Sequence, residues 1–203
     1  DLSYFLRDPA SIVRIWEGGI ASHGAMLGGL LALFLLAKHY HRSIFFFTDP
    51  LVIILPLSGA LIRIGNFINS ELVGRITTMP WGVLFRGYEG YRHPVQLYEA
   101  ALLLVLFGIM LLVYYTYRFP FVGLYTGIFF LGYGIIRMSI EFYKDYFVYS
   151  FGLTLGQLLT IPVILFGSYL LWKNWQVIAK QQQARQQPAA SQEPEKHKKK
   201  NVR

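Results

Sequence analysis

The stretch AALLLVLFGIMLLVYYTY, residues 100–117, holds eighteen consecutive residues without a charge. A helix rises about 1.5 Å per residue, so about 18 or more apolar residues cross a hydrocarbon core about 30 Å thick. Two further runs are similar. Residues 20–37 carry His23 as their one polar titratable group, and residues 152–172 carry no charged residue. These three runs predict transmembrane helices.

Two more apolar segments are each interrupted by one arginine and one glutamate, Arg63 with Glu71 and Arg137 with Glu141. With these segments included, the sequence predicts an all-α fold, a multi-pass transmembrane bundle of five helices. Their expected positions are about 20–38, 48–68, 95–117, 121–142 and 153–174. A soluble helical bundle is the alternative, but its helices would show a polar face with 3.6-residue periodicity.

The composition also favours a membrane protein. Hydrophobic residues make up 54% of the 203 residues and charged residues 15%, whereas soluble domains have about 45–50% apolar and about 25% charged residues. Eight of the nineteen Lys and Arg lie at Lys173 or beyond. The net charge of +8 is therefore carried largely by the C-terminal tail and does not predict nucleic-acid binding. The chain has no cysteine. We therefore expect no disulfide, no thiolate nucleophile and no cysteine-based metal site, and any reacting thiol must come from a partner.

Two regions are predicted along the chain. Residues 1–179 form a polytopic membrane domain, and residues 180–203 form a disordered basic tail because they show no apolar periodicity. The excess of Lys and Arg on the side of the tail places it in the cytoplasm. The chain begins with Asp1 and has no signal-peptide pattern, so we expect that its start is truncated.

Polar side chains at membrane depth are costly and mark functional sites. Two predicted helices carry them on one face, with Arg63, Asn66 and Ser70 in the second and Tyr133, Arg137 and Glu141 in the fourth. Two inward arginines from separate helices predict an anion-binding site. The structural alternative pairs each arginine with the glutamate of its own helix.

Further polar groups are expected at the same level of the membrane, near the outer leaflet. His23 opens the first predicted helix beside a Gly-xxx-Gly spacing, which permits close helix packing, so a structural role competes with a catalytic one. The others are Glu71, Glu141, His93, Gln96 and Glu99. This convergence of polar groups from four helices predicts a site at a lipid interface.

Four motifs carry a resemblance to a known family. They are Trp16-Glu17-Gly18-Gly19 to His23-Gly24; Arg63-Ile64-Gly65-Asn66-Phe67-Ile68-Asn69 with Glu71 and Gly74-Arg75; His93-Pro94-Val95-Gln96-Leu97-Tyr98-Glu99; and Gly132-Tyr133-Gly134 to Arg137 with Glu141-Phe142. In order and spacing, the chain before the tail resembles the bacterial phosphatidylglycerol:prolipoprotein diacylglyceryl transferases. That family is typically a seven-helix inner-membrane enzyme, so the resemblance implies that the first two helices are missing here.

The resemblance implies a reaction and its partners. A diacylglyceryl group moves from phosphatidylglycerol to the lipobox cysteine of a preprolipoprotein signal peptide, and glycerol phosphate is released. This is the first step of bacterial lipoprotein maturation, at the outer leaflet of the inner membrane and in contact with membrane lipids. Neither a metal nor a cofactor is implied.

The implied reaction suits the polar residues. A thiol attacks a glyceryl carbon while a phosphodiester leaves, so fixed cations aimed at the phosphate should dominate catalysis, and arginine binds phosphate through a bidentate fork. We predict that Arg63 binds the headgroup phosphate and Arg137 stabilises the leaving group, or the reverse. His23 is the candidate general base, with Glu71 or Glu141 as competitors. Further contacts with the headgroup are predicted for Asn66, Asn69, Tyr133 and His93.

The chain departs from the family pattern at Ser70, Val73 and Lys144, and two other functions remain open. Lys144 stands where the family often has an arginine; it keeps the charge and lacks the fork. A membrane transporter for an anionic solute would also carry inward arginines, although the sequence shows no internal repeat. The third alternative is an inactive lipid-binding homologue.

Overall fold

The computed structural model describes residues 22–116, 122–145 and 152–186. These residues form five helices and one short hairpin, which confirms the predicted all-α fold. In chain order the elements are α1 (Ser22–His39), α2 (Ile44–Ile68), β1 (Val83–Leu84), β2 (Tyr91–Arg92), α3 (Val95–Thr116), α4 (Leu124–Glu141) and α5 (Leu155–Gln186). Each predicted helix is present, within a few residues of its expected start.

Three helices of the described ranges are long and apolar enough to cross a membrane. They are α2, α3 and the Leu155–Val177 part of α5. The apolar part of α1 is the shorter segment Leu27–His39, and α4 has 18 residues with Arg137 among them. The lengths and compositions of these helices support a membrane protein.

Helix α5 is longer than the sequence predicts. It continues to Gln186, past Lys180, where we placed the start of a disordered tail. The sequence after Lys173 consists largely of Gln, Ala, Lys and Arg, which have high helix propensity, so the helix continues after its apolar periodicity has ended. The rest of the predicted tail, residues 187–203, lies outside the described residues.

The chain divides into two compact units, Asp1–Thr48 and Asp49–Arg203. The described part of the first unit consists of α1, a turn and the start of α2. His41 in this turn has a φ of 51°, and the Arg42 guanidinium lies 5.6 Å from the centroid of the Phe46 ring. All contacts described below lie within the second unit.

The hydrophobic core of the second unit lies between α3, α4 and the adjoining part of α2. Helix α4 packs against both α3 and α5. The α4–α5 contact depends on Gly167, since a Cβ there would lie 2.5 Å from the backbone nitrogen of Leu131; small residues permit such close approach in membrane helices. The buried core side chains are Val52, Ala60, Val95, Ala100, Leu103, Leu106, Met110, Tyr125, Ile136 and Ile140.

A buried carboxylate ties the start of α4 to α2. Asp49 accepts hydrogen bonds from the backbone nitrogens of Gly123 (2.7 Å) and Thr126 (2.9 Å), and from the Thr126 hydroxyl (2.6 Å). A carboxylate satisfies the free N–H groups of a helix N-terminus and interacts favourably with the helix dipole. This contact therefore fixes the register between the two helices.

The same register brings two arginines to one level. Arg63 lies fourteen residues after Asp49, and Arg137 lies fourteen residues after Gly123. At about 1.5 Å per residue, both distances along the helix are about 21 Å. The two helices run in the same direction from their common hydrogen-bonded point, so their arginines meet at the same end of the bundle.

The segment between α2 and α3 forms a small sheet that the sequence analysis did not predict. Strands β1 and β2 are antiparallel, with Val83 opposite Arg92 and Leu84 opposite Tyr91. Isolated bridges pair Ile76 with Arg92 and Gly74 with Lys144. A Cβ at Gly74 would lie 2.6 Å from the carbonyl oxygen of His93. Glycine at this position therefore allows the segment to pack closely against the start of α3.

Candidate active site

Helix α2 ends in a Schellman motif that turns Glu71 back toward the helix. Ser70 N donates to Phe67 O (3.1 Å), and Glu71 N donates to Asn66 O (2.8 Å). Ser70 takes the left-handed conformation that this motif requires, with a φ of 57°. The turn brings the Glu71 carboxylate to Asn66, whose Nδ2 donates to Glu71 Oε2 at 2.9 Å. Local backbone geometry therefore joins two of the predicted site residues.

Arg63 connects this turn to α3. Its Nη1 donates to Asn66 Oδ1 at 3.1 Å, and its Nε lies 3.0 Å from Glu99 Oε1. The Glu99 side chain is only 2% exposed, so its charge depends on a nearby cation. The structural alternative, which pairs Arg63 with a glutamate of its own helix, is thus wrong for Arg63. Its ion-pair partner comes from another helix.

Arg137 pairs with a glutamate of its own helix, as the structural alternative predicts. Its Nη2 lies 3.5 Å from Oε2 of Glu141, one turn further along α4, and the Glu141 side chain is 1% exposed. The other carboxylate oxygen, Oε1, accepts a hydrogen bond from the Thr154 hydroxyl at 2.8 Å. Thr154 immediately precedes α5. The Glu141 carboxylate is therefore held from two helices.

Lys144 joins the two arginine–glutamate pairs. Its Nζ lies 3.5 Å from Glu99 Oε2 and 4.0 Å from Glu141 Oε2, and its side chain is 3% exposed. We call Arg63, Glu99, Lys144, Glu141 and Arg137 the charge cluster. Three helices and the turn after α4 contribute to it, at the end of the bundle where α2 and α4 finish and α3 begins.

The electrostatics of the charge cluster favour an added anion. With three cations and two carboxylates in their usual ionised forms, its net charge is +1. Arg63 and Arg137 are 18% and 23% exposed, whereas the other three side chains are almost fully buried. The two arginine side chains are therefore the members that a ligand can reach. A singly charged phosphodiester would neutralise the cluster.

Burial acts on the remaining cation. It lowers the pKa of the Lys144 ammonium below its usual value; nearby Glu99 opposes this effect, and Arg137 and Arg63 reinforce it. Lys144 is thus the cation of the cluster that can lose its proton, because the arginines remain charged at all accessible pH values.

His93 belongs to an aromatic group beside the charge cluster. Its Nδ1 lies 3.2 Å from the hydroxyl of Tyr98, which accepts a hydrogen bond from Trp81 Nε1 at 2.7 Å. The ring also meets Tyr143 edge to face, with 5.3 Å between centroids. These contacts position His93 through aromatic neighbours, and its contact with a headgroup stays a prediction.

Three other predicted residues are not among the described members of the charge cluster. Tyr133 stacks on Phe129 with 5.8 Å between ring centroids and packs against the hydrophobic core. Asn69 is exposed in the turn after α2. His23 lies in the first turn of α1, in the other unit, and its side chain is outside the described residues. The roles proposed for all three stay predictions.

Two members of the charge cluster, Glu99 and Lys144, were noted in the sequence but were given no catalytic or binding role. Glu99 is the last charged residue before the uncharged run 100–117, and an acid in that position requires a buried partner. Lys144 lies three residues after Glu141, a spacing at which helical side chains meet. In the described ranges, no group of three or more His, Asp or Glu side chains could hold a metal ion.

Comparison with known proteins identifies the family. The family model for prolipoprotein diacylglyceryl transferase matches residues 2–173. Curated proteins named phosphatidylglycerol–prolipoprotein diacylglyceryl transferase align over most of the chain. The one from Polynucleobacter asymbioticus is 41% identical over 176 residues, covering 84% of this chain and 67% of the relative. The one from Pasteurella multocida is 40% identical over 190 residues, covering 89% and 68%.

A third relative, from Brucella anthropi, is 36% identical over 188 residues, covering 89% of this chain and 67% of the relative. The chain therefore spans about two thirds of the length of these curated relatives. The resemblance inferred from the four motifs is confirmed, and with it the transferase class. The chain belongs to the prolipoprotein diacylglyceryl transferase family.

Proposed function

We propose that this chain transfers a diacylglyceryl group from phosphatidylglycerol to the lipobox cysteine of a preprolipoprotein. One observation of the structure carries the proposal: two partly exposed arginines, fixed by buried carboxylates, lie at one end of apolar helices long enough to span a membrane. Phosphatidylglycerol offers a singly charged phosphodiester at that depth. The names of the curated relatives give the same donor and acceptor.

The reaction exchanges one bond for another. The cysteine sulfur forms a bond to the terminal glyceryl carbon of the diacylglycerol, and the bond from that carbon to the phosphate oxygen breaks. The thiol proton passes to a base, and glycerol phosphate leaves with the electron pair of the broken bond. Negative charge thus grows on the phosphate as the reaction proceeds.

The two arginines are suited to stabilise this charge. Arg63 donates one N–H of Nη1 to Asn66, and its Nε lies 3.0 Å from Glu99 Oε1 as an ion pair, so further N–H groups of the guanidinium remain for phosphate oxygens. Arg137 Nη2 lies 3.5 Å from Glu141 Oε2, and its other donors remain as well. Because each guanidinium is already held in place, little reorganisation is needed as charge develops. Arg63 binds the headgroup phosphate and Arg137 the leaving oxygen, or the reverse.

The candidate bases differ in how engaged they are. Glu141 accepts the Thr154 hydroxyl and faces two cations, so proton transfer to it would disrupt the charge cluster. Glu71 is exposed and accepts one hydrogen bond from Asn66 through Oε2. Of the two carboxylates, Glu71 is therefore the better candidate for the base. His23 is the other candidate.

The orientation in the membrane belongs to the same proposal. The enzyme lies in the bacterial inner membrane with its C-terminus in the cytoplasm, because the basic residues after Lys173 follow the positive-inside rule. The start of α5 is at the same end of the bundle as the charge cluster. The cluster then faces the outer leaflet, the side on which secreted preproteins arrive.

A direct test uses the full chain, purified in detergent and mixed with phosphatidylglycerol and a lipobox peptide. We expect mass spectrometry to show a thioether-linked diacylglyceryl group on the peptide, and none on a peptide with Ser in place of Cys. Phosphatidylglycerol binding without this product would instead support the inactive lipid-binding homologue. Uptake of a labelled anion into liposomes without peptide modification would support the transporter.

A further inference from the structure

We propose that Lys144 is a positioning residue that gives the site its surplus positive charge. By sharing both buried carboxylates, its ammonium leaves the two guanidinium groups free to bind the phosphate of an anionic lipid. The identity of that lipid as phosphatidylglycerol rests on the proposed function.

The contacts at each carboxylate oxygen support this role. At Glu99, Oε1 faces Arg63 at 3.0 Å and Oε2 faces Lys144 at 3.5 Å. At Glu141, Oε1 accepts the Thr154 hydroxyl, and Oε2 faces both Arg137 and Lys144. Without Lys144, each buried carboxylate would have one arginine as its only ion-pair partner in the cluster. Each guanidinium would then interact more strongly with its own carboxylate and would be less free to bind an anion.

The charge balance leads to the same conclusion. With Lys144 protonated, three cations face two carboxylates; without its charge, two cations face two carboxylates. The neutral cluster would attract a phosphodiester less strongly. Lys144 is 3% exposed, whereas the arginines are partly exposed, so Lys144 acts through its neighbours and does not itself meet the ligand.

The main chain holds Lys144 in this place. Arg75 Nη2 donates to the Lys144 carbonyl at 3.2 Å, and Lys144 N donates to Glu141 O at 3.2 Å. The bridge to Gly74 adds a contact from the segment between α2 and α3. The turn after α4 is thus held in place and positions the Lys144 ammonium in the charge cluster.

A purely structural role would have different consequences. Buried ion pairs are weak contributors to stability, although removal of one partner is strongly destabilising. Charged groups surround Lys144 from several elements. They are Arg63 from α2, Glu99 from α3, Arg137 and Glu141 from α4, and Arg75 from the segment between α2 and α3. A structural lysine would affect melting temperature without making lipid affinity depend on pH.

The test compares Lys144→Met, which removes the charge, with Lys144→Arg, which keeps it permanently. Lys173→Met, at an exposed position of α5, is the matched control for loss of one positive charge. The affinity for fluorescent phosphatidylglycerol is measured in detergent micelles of uncharged surfactant, with the melting temperature recorded for each protein. We expect Lys144→Met to weaken binding on the order of tenfold or more, as loss of a unit charge a few Å away does at an effective dielectric of about 20. Lys144→Arg and Lys173→Met bind like the unchanged chain.

The pH dependence provides a second readout that does not need Lys144→Met to fold. As the pH rises, the unchanged chain loses affinity when Lys144 gives up its proton, and Lys144→Arg keeps its affinity to higher pH. Parallel pH profiles for these two proteins, or equal affinity for a folded Lys144→Met, would overturn the inference. A chain that binds the lipid in this Lys144-dependent way but forms no thioether would overturn the proposed function alone.

Discussion

Replacement of Arg63 by lysine separates the charge of this residue from its geometry. The Arg63 Nε lies 3.0 Å from Glu99 Oε1 and Nη1 donates to Asn66 at 3.1 Å, and a guanidinium has further N–H groups in a planar fork that suits phosphate. An ammonium has its three donors on one nitrogen. It can replace the ion pair with Glu99 but cannot hold Asn66 and a bidentate phosphate at the same time.

The expected loss follows from the bonds that Arg63→Lys removes. Hydrogen bonds to charged groups contribute about 1.5–3 kcal/mol each, and a transition-state donor is worth about 2.7–4 kcal/mol. With about 1.4 kcal/mol per factor of ten, loss of the bidentate contact lowers kcat/KM on the order of a hundredfold. Net charge, and therefore attraction of the lipid, is unchanged.

The assay follows thioether formation on a lipobox peptide by mass spectrometry at several phosphatidylglycerol concentrations. Arg86→Lys is the matched control, since Arg86 is exposed and lies outside the charge cluster, and we expect it to keep full activity. The melting temperature of each protein shows whether the fold is retained. A turnover within a few-fold of the unchanged chain for folded Arg63→Lys would remove Arg63 from the phosphate site.

Substitutions at three further positions test other parts of the structure. Asp49→Asn weakens the bonds to the start of α4, so we expect a loss of about 1–2 kcal/mol of stability, measured by chemical denaturation in detergent; unchanged stability would contradict the capping role. Ser70→Gly and Ser70→Ala both remove the hydroxyl, but only glycine relieves the positive φ, so the glycine variant should be more stable by about 1 kcal/mol; equal melting temperatures would refute this. If His23 is the base, His23→Ala lowers turnover without changing lipid affinity, and alkaline pH partly restores the rate because a free thiol ionises at about pH 8.5. A pH–rate profile parallel to that of the unchanged chain would move the base role to Glu71.

Much of the fold is encoded locally. The uncharged run 100–117 predicts a membrane helix by length and hydropathy alone, and the five helices observed start close to their predicted positions. Two elements differ from the prediction. Helix α5 continues after Lys180 because the residues there have high helix propensity, although they show no apolar periodicity. Strands β1 and β2 are each too short to show an alternating apolar–polar pattern, and they form by pairing with each other.

The candidate site was only partly predictable. Helical spacing identified Arg63 and Arg137 as inward cations, because a charge at membrane depth stands out in any apolar run. Spacing within one helix offered the pair of Arg137 with Glu141, but it could not show that Arg63 pairs with Glu99 of α3. The partner of Arg63 depends on the distance between helices, which a single helix does not specify.

The sequence by itself determined the class of this protein, its helices, its family motifs and the presence of two arginines where charge is costly. The tertiary structure decided how those charges are balanced. Asp49 sets α2 and α4 in register, the turn after α4 delivers Lys144 between two buried carboxylates, and the resulting cluster keeps one positive charge in excess. The physical reason is that the interaction between charges falls with distance and with solvent screening. Only the packed structure fixes both quantities.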